Sequence, residues 1–527
     1  MENVRKANQL QDEMISISRA EYEELQARNA ELTQQVHWLM EQMRLARQKR
    51  FGSSSEKSQY DQIDLFNEAE ATADKRIPEP ELTEIQKHYR QKAKESKEQL
   101  PADLPVEVVE HFLPEDNQSC PACDETLHIM GKDIRRELKI IPAKAIIVEH
   151  HNYVYACRHC ENNACNVPIV KAPVDQPVIK GSFASAEAVA HIITQKFVNA
   201  MPLYRQEQDF NRMGIALSRQ TMSNWLIKCA QDWLEPVYEA LREMLCAQSI
   251  LHIDETVLQV LHEPGKAAQS KSYMWLYRTS GDAQMPIVLY DYQPDRKAKH
   301  PIEFLQKFRG YVHADGYAGY HNLPEEIVVV GCLAHARRKF DEAIKAIPEK
   351  DREGSGAQRA KRYCDHLFEI ERQLASCTQE ERYEKRQELA KPVLDEFLSY
   401  LYAAKAAPKS SFGRAVHYTI QQWKYLERYL LDGRLEISNN RAERSIKPFV
   451  IGRKNFLFAN TPKGARASAI LYSIVETAKE NGLNPFAYLT YIFKNAPNWD
   501  IRNNANALQK LLPSFAPDDC KIKAVTD

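Results

Sequence analysis

The chain has 527 residues but no run of about 18 or more apolar residues, the length that a membrane-spanning helix requires. It is therefore not expected to span a membrane as a helix. Its first residues, Met1-Glu2-Asn3-Val4-Arg5-Lys6, lead into polar sequence without the apolar core of a secretory signal, which predicts a cytoplasmic protein. Cysteine is sparse, 11 residues in all, and in a reducing compartment these are expected as thiols or metal ligands and not as disulfides. An excess of either charge is also missing: the formal net charge is −1. Bulk electrostatics thus give no sign of a nucleic-acid partner, and any such binding must come from local basic clusters. What remains, 43% hydrophobic and 27% charged residues, is ordinary for globular protein, and the length calls for several domains.

The most informative stretch is 249–260, Ser-Ile-Leu-His-Ile-Asp-Glu-Thr-Val-Leu-Gln-Val. Apolar residues alternate at Leu251, Ile253, Val257 and Val260, the pattern of a buried strand. Asp254 and Glu255 interrupt it, and a charge in an apolar run is costly unless it is paired or holds a metal ion. Glu255, next to Asp254, is expected on the opposite face of that strand. A lone Asp would read as an edge-strand residue facing water. A second strand-like run, 310–317, also carries an acid, Asp315, before a turn-forming Gly. A third acid, Glu443, lies in a basic helix-like stretch with Arg441, Arg444 and Lys447, and with Arg453 and Lys454 beyond.

The flanking segments divide into modules. Tyr22, Leu25, Asn29, Leu32, Val36, Leu39 and Met43 follow a heptad pattern with Leu at d and one Asn at a, which favours a parallel two-stranded coiled coil. A basic segment follows at Arg44, Arg47, Lys49 and Arg50, and then a polar linker over 51–110. Cys120-Pro-Ala-Cys123 and Cys157-Arg-His-Cys160 form two C-x-x-C pairs, the pattern of a structural four-thiolate zinc site. Strand-like sequence at 134–141 and 145–155 suggests a hairpin that carries the second pair. Residues 181–245 are helical in pattern, and Ser218 is placed to cap a helix over 219–229. Its outward residues Arg219, Gln220, Ser223, Asn224 and Lys228 suit phosphates and base edges, as in a helix-turn-helix recognition helix; a plain three-helix packing unit is the alternative.

From 249 onward the order is three strands, a helix, a strand and another strand, which is that of a ribonuclease-H-like sheet. In that order the carriers of Asp254 and Asp315 lie side by side. Residues 341–431 read as a helical insertion ahead of Glu443. Cys332 and His335, at a strand-to-helix junction, are read as packing and hydrogen-bonding residues. Three carboxylates from separated segments are enough to hold two Mg²⁺ or Mn²⁺ ions for phosphodiester chemistry.

These motifs together resemble the insertion-sequence-66 transposases, a bacterial branch of the DDE superfamily. The resemblance rests on Ile253-Asp-Glu-Thr256, Ala314-Asp-Gly-Tyr317, the run from Cys332 to Phe340, Asn439-Asn-Arg-Ala-Glu-Arg444, Gly452-Arg-Lys-Asn455 and the run from Arg50 to Lys57. It implies Asp254, Asp315 and Glu443 as the acidic triad, a zinc domain ahead of it, a coiled-coil N-terminus and a C-terminal helical domain. The sequence from Leu511 onward departs from the family pattern. The expected architecture is a multidomain α/β protein. It comprises a coiled coil and basic segment (1–50), a linker (51–110), a zinc-binding domain (111–175) and a helix-turn-helix-like domain (181–245). A ribonuclease-H-like catalytic core (249–340 and 432–468) follows, split by the helical insertion (341–431), and then a C-terminal helical domain and tail (469–527). The function implied is a DNA transposase acting on element ends and target DNA. It would work as a homodimer or higher oligomer, with accessory proteins of the same element as candidate partners, in the cytoplasm at the nucleoid. A DNA-binding regulator with an inactive core, and an endonuclease without strand transfer, are the competing readings.

Overall fold

The computed structural model describes residues 18–51, 144–156 and 169–522. The four C-x-x-C cysteines and most of the expected linker lie outside these residues. Two compact units separate, one with residues 18–51 and 175–521, the other with 144–156 and 169–174.

Helix α1 (Arg19–Phe51) starts at a capping box: Ser18 Oγ accepts the Glu21 N–H, and Glu21 accepts the Ser18 N–H. The heptad residues Leu25, Leu32, Leu39 and Met43 are all exposed, so the apolar seam has no partner on this chain among the described residues. Near its end the helix touches the body, where Glu41 Oε2 accepts the Ser411 N–H at 3.0 Å.

In the smaller unit, β1 (Val154–Ala156) pairs antiparallel with β2 (Ile169–Lys171). Among the described residues the strand expected over 145–155 begins at Val154 and pairs with β2, and the strand expected at 134–141 lies outside the described residues. Ile146 and Ile147 are exposed among the described residues.

The larger unit opens with helices α2 (Ala186–Phe197), α3 (Leu203–Arg212) and α4 (Arg219–Cys229). Ser185 and Ser218 cap α2 and α4 through their hydroxyls. In α4, Met222, Trp225, Leu226 and Cys229 are buried, as the spacing predicts. After a π turn, α5 (Glu235–Cys246) leads into the sheet.

Five strands form that sheet: β3 (Ile250–Gln259), β4 (Lys271–Thr279), β5 (Val288–Gln293), β6 (Gly310–His313) and β7 (Ile327–Val330). The short helix α6 (Lys299–Phe304) precedes β6. Their spatial order is β5-β4-β3-β6-β7; the first three pair antiparallel, and β6 and β7 run parallel to β3. Gly310 enters β6 at φ +136°, and a Cβ there would sit 2.3 Å from the Ser249 carbonyl oxygen. Only glycine allows this approach, so it sets how β6 docks beside β3.

Helix α7 (Leu333–Ala346) follows β7, and the insertion contributes α8 (Gly356–Gln373), α9 (Gln379–Lys385), α10 (Lys391–Ala403) and α11 (Ser411–Leu426). These build a second apolar core around Leu367, Phe397, Leu401 and Trp423, with Phe340 of α7 packed into it. The chain then returns as α12 (Asn440–Phe456), α13 (Pro462–Glu480) and α14 (Pro485–Asn495). Helix α13 runs across the expected boundary at 468–469. Edge strand β5 has its free donors taken up by this helix: Val288 N–H bonds Thr477 Oγ1 at 3.0 Å, and Tyr290 N–H bonds Ser473 Oγ at 2.7 Å. Helical hydroxyls thus close an edge that would otherwise template foreign strands.

Candidate active site

The two strand-borne acids are placed by one register. β3 and β6 run parallel with His252 opposite His313, and Asp254 and Asp315 each lie two residues beyond that pair. The two imidazoles are fully buried and stacked, with ring centroids 4.4 Å apart. Asp254 Oδ1 accepts the following Glu255 N–H at 2.9 Å, and Asp315 Oδ1 accepts the Tyr317 N–H at 2.9 Å as the chain turns out of the sheet.

The third acid arrives on the first turn of α12, where Glu443 is only 5% exposed. Asn439, just ahead of that helix, docks it on the sheet. Its side-chain amide donates to the Ile253 carbonyl at 2.7 Å and lies 3.0 Å from His252 Nδ1, while its own N–H donates to Cys332 Sγ at 3.2 Å. One buried amide thus connects the peptide preceding Asp254 with the start of the helix that carries Glu443. Neither Asn439 nor the two histidines was expected from composition or periodicity. Their signal in the sequence is the repeat His252-Ile-Asp254 and His313-Ala-Asp315.

Negative charge accumulates here beyond what the protein neutralises. Burial, and then repulsion from Glu255, Asp315 and Glu443, raises the Asp254 carboxyl well above the usual carboxylate range. Among the described residues no cationic side chain forms a salt bridge with Asp254 or Asp315. Glu443 is differently placed, with Arg338 Nη2 and His335 Nε2 each 3.5 Å from one of its oxygens. Oxygen donors short of positive charge fit a hard divalent cation, so these residues suit Mg²⁺ or Mn²⁺.

Glu255, Cys332 and His335 make contacts beyond those read from the sequence. Glu255 does leave the Asp254 face, but it is no inert neighbour. Its side chain is 2% exposed, Arg296 Nε donates to it at 2.6 Å, and Tyr320 donates its hydroxyl to the other oxygen. Burial and Asp315 push its pKa up to about 7, against the pull of Arg296 and Tyr320. Arg296 also stacks 3.8 Å from the ring of Tyr317, whose N–H holds Asp315, so Glu255 anchors the turn that carries the second acid. Glu255→Gln is therefore expected to lower stability by about 1–2 kcal/mol, read from urea unfolding, and to reduce activity with it. An unchanged unfolding curve would return Glu255 to the role of bystander. Cys332 and His335, read above as packing and hydrogen-bonding residues, also approach the third acid: the Cys332 thiol, a ring nitrogen of His335 and a Glu443 oxygen lie within 4.8 Å of one another.

The basic residues divide by exposure. Arg219, Gln220, Asn224 and Lys228 are exposed on α4 and Ser223 is half-buried. Lys228 pairs with Asp232 at 2.7 Å, Gln220 bonds Asn224, and Arg219 bonds Glu207 through its N–H. Arg444 and Lys454 are exposed on α12 and Lys447 is half-buried. Arg441 is tied to Glu436 at 2.7 Å, and Arg453 turns inward to Thr256 Oγ1 at 3.2 Å, beside the acids and not on the open surface.

Sequence comparison adds independent findings. Residues 181–467 match a family described as "Transposase IS66 family". Residues 117–161, which contain all four C-x-x-C cysteines, match "zinc-finger binding domain of transposase IS66". Residues 38–109 match "Transposase C of IS166 homeodomain", and 473–514 match "IS66 C-terminal element". Among curated relatives, "Uncharacterized protein y4jD" of Sinorhizobium fredii is 30% identical over 79% of this chain and 81% of its own length. "Uncharacterized protein y4qI" and "Uncharacterized protein y4hP", from the same organism, are 29% and 28% identical. Their alignments cover 78% and 77% of this chain, and 76% and 74% of their own lengths.

Proposed function

Because this chain belongs to the IS66 family of transposases, we propose that it binds the ends of an insertion sequence, nicks the strands there and joins them to target DNA. The observation that carries this reading is the meeting of Asp254 on β3 and Asp315 just past the adjacent β6 with Glu443 on a helix docked against the sheet. The strand order β5-β4-β3-β6-β7, with acids on β3 and just past β6, supports a ribonuclease-H-like core.

Asp254, Asp315 and Glu443 would hold the two divalent ions. Once bound, such ions activate the attacking oxygen and neutralise the charge that develops on the phosphate. The protein's own part is to hold three carboxylates on a rigid sheet and helix, with Asn439 fixing their spacing and the Glu255–Arg296–Tyr317 contacts holding the Asp315 turn. Arg444, Lys447 and Lys454 on α12, and the polar face of α4, are suited to hold DNA phosphates along the approach to the acids. The direct test is incubation of the full chain with end-containing DNA and Mg²⁺, scoring nicks and joined products separately. Neither product at any Mg²⁺ or Mn²⁺ concentration, with DNA bound, would leave only a binding protein.

Two modules support the assembly. Cys120, Cys123, Cys157 and Cys160 would hold one structural zinc, since four thiolates leave no open position. Cys120→Ser or Cys157→Ser should lower the zinc content of protein purified without chelators, and metal analysis showing no zinc in the parent chain would refute the site. The exposed leucine seam of α1 favours pairing of two chains, which suits an element with two ends. Removing the residues before Lys49 should weaken self-association with zinc content unchanged. Equal masses of truncated and full chains by light scattering would exclude α1 as the assembling element.

A further inference from the structure

The junction after β7 brings two donors foreign to a magnesium site, Cys332 and His335, against Glu443. Cys332 is the residue just ahead of α7, His335 lies in the first turn of that helix, and Glu443 faces them from the first turn of α12. Cys332 Sγ, a His335 nitrogen and a Glu443 oxygen lie within 4.8 Å of one another. Cys332 and Glu443 are buried and His335 is half-buried, so the trio is set by the fold while one side remains within reach of solvent. The Asn439 N–H donates to the Cys332 sulfur at 3.2 Å and fixes its position.

One sulfur, one imidazole and one carboxylate form a borderline donor set. Three such protein ligands with one open position are what zinc accepts, whereas Mg²⁺ takes oxygen alone. Zinc bonds of about 2.0–2.3 Å need the three atoms somewhat closer than they are, and rotation of the His335 ring and the Glu443 carboxylate supplies the closure. We propose that Cys332, His335 and Glu443 bind a borderline transition-metal ion, Zn²⁺ foremost, and that its capture withdraws Glu443 from the acidic triad and stops nicking. No bond other than the metal–ligand bonds forms, and the only displaced protons are those of the thiol and any protonated imidazole. In the Irving–Williams order Zn²⁺ lies above Mn²⁺, so a low concentration of free zinc would compete with a large excess of the harder ion. The inhibitory consequence rests on the role proposed above for Glu443; the binding site does not.

The test uses the full-length chain with its own zinc in place, titrated with Co²⁺ as an optical probe, beside Cys332→Ser and His335→Gln. The parent should show thiolate-to-cobalt absorption and tetrahedral visible bands that Cys332→Ser lacks. His335→Gln, a change at a half-buried position, should weaken Co²⁺ binding about tenfold. Cobalt entering the four-cysteine module is common to all three proteins and cancels in the difference spectra; matched unfolding curves establish that the variants are folded. Superimposable spectra for the three proteins would overturn the site. In a second arm, Zn²⁺ beyond the resident metal is added to Mg²⁺-dependent nicking, each protein being normalised to its own zinc-free rate. The half-inhibiting zinc concentration should rise about tenfold in both variants, and equal sensitivity would overturn the inhibitory role. If the parent chain nicks with no metal at all, it is the transposase reading that fails, and the cobalt spectra still decide the binding site.

Discussion

Alanine at Asp254, Asp315 or Glu443 should lower Mg²⁺-dependent nicking and joining by several orders of magnitude, while end-DNA binding survives. Each change removes one hard oxygen ligand from the set that would hold the ions, and no neighbouring acid is free to replace it. Glu255 is the nearest substitute in sequence, but it faces the other side of β3 and is engaged by Arg296 and Tyr320. Binding persists because it rests on Lys and Arg contacts to phosphate, and the three acids contribute none of these. Stability supplies a second readout. Asp254 is held well above the usual carboxylate range by burial and by its acidic neighbours, so in the metal-free protein its charge opposes folding. Asp254→Asn should thus unfold at a urea concentration no lower than the parent's, measured without divalent ions. Parent-like cleavage by Asp254→Ala would remove Asp254 from the site, and binding lost in step with cleavage would point to misfolding instead.

Loss of Arg386 should be the most damaging single change outside the acids. This residue lies in a π turn between α9 and α10, is 1% exposed, and spends its whole guanidinium on the insertion. It bonds both oxygens of Glu371, at 2.8 and 2.6 Å, and the carbonyls of Tyr429, Asp432 and Leu435 at 2.8–2.9 Å. Those carbonyls belong to the strand of chain that returns from the insertion to Asn439 and Glu443. Arg386→Ala leaves Glu371 and three carbonyls without their donor, and breaking such a buried pair from one side costs about 3–5 kcal/mol. The expected result is a lower urea midpoint, faster proteolysis within 386–435, and reduced nicking, since Glu443 loses the anchor upstream of it. The double change Arg386→Met with Glu371→Leu should recover part of the stability, because no buried charge then stands alone. An unchanged midpoint for Arg386→Ala would show that the return segment is held by its apolar packing.

Much of the scaffold was legible before any coordinates. The helix over 219–229, with Ser218 as cap and Met222, Trp225, Leu226 and Cys229 inward, is local chemistry: one hydroxyl, one period, no distant partner. The same holds for the strands that became β3 and β4, which read as apolar runs and are buried over most of their length, and for Asp254 and Asp315, each a charge that an apolar run does not tolerate without a reason. A strand that needs a distant partner is less legible than a capped helix. The strand pattern over 145–155 is only a propensity, and it becomes a strand where β2 pairs with it and nowhere else among the described residues.

By itself, then, the sequence determined which segments are helix and strand, which faces turn inward, and which three acids are candidates for the metal ions, because caps, periodicity and misplaced charge act within a few residues. Only the tertiary structure decided that Glu255 anchors the Asp315 turn and that Asn439 sets α12 against β3. It also decided that Arg386 ties down the returning chain, and that Cys332 and His335 meet Glu443. The Asn439–Ile253 and Cys332–His335–Glu443 contacts join residues separated by a whole helical insertion. Their geometry follows from how that loop closes on the sheet, and no local pattern carries that information.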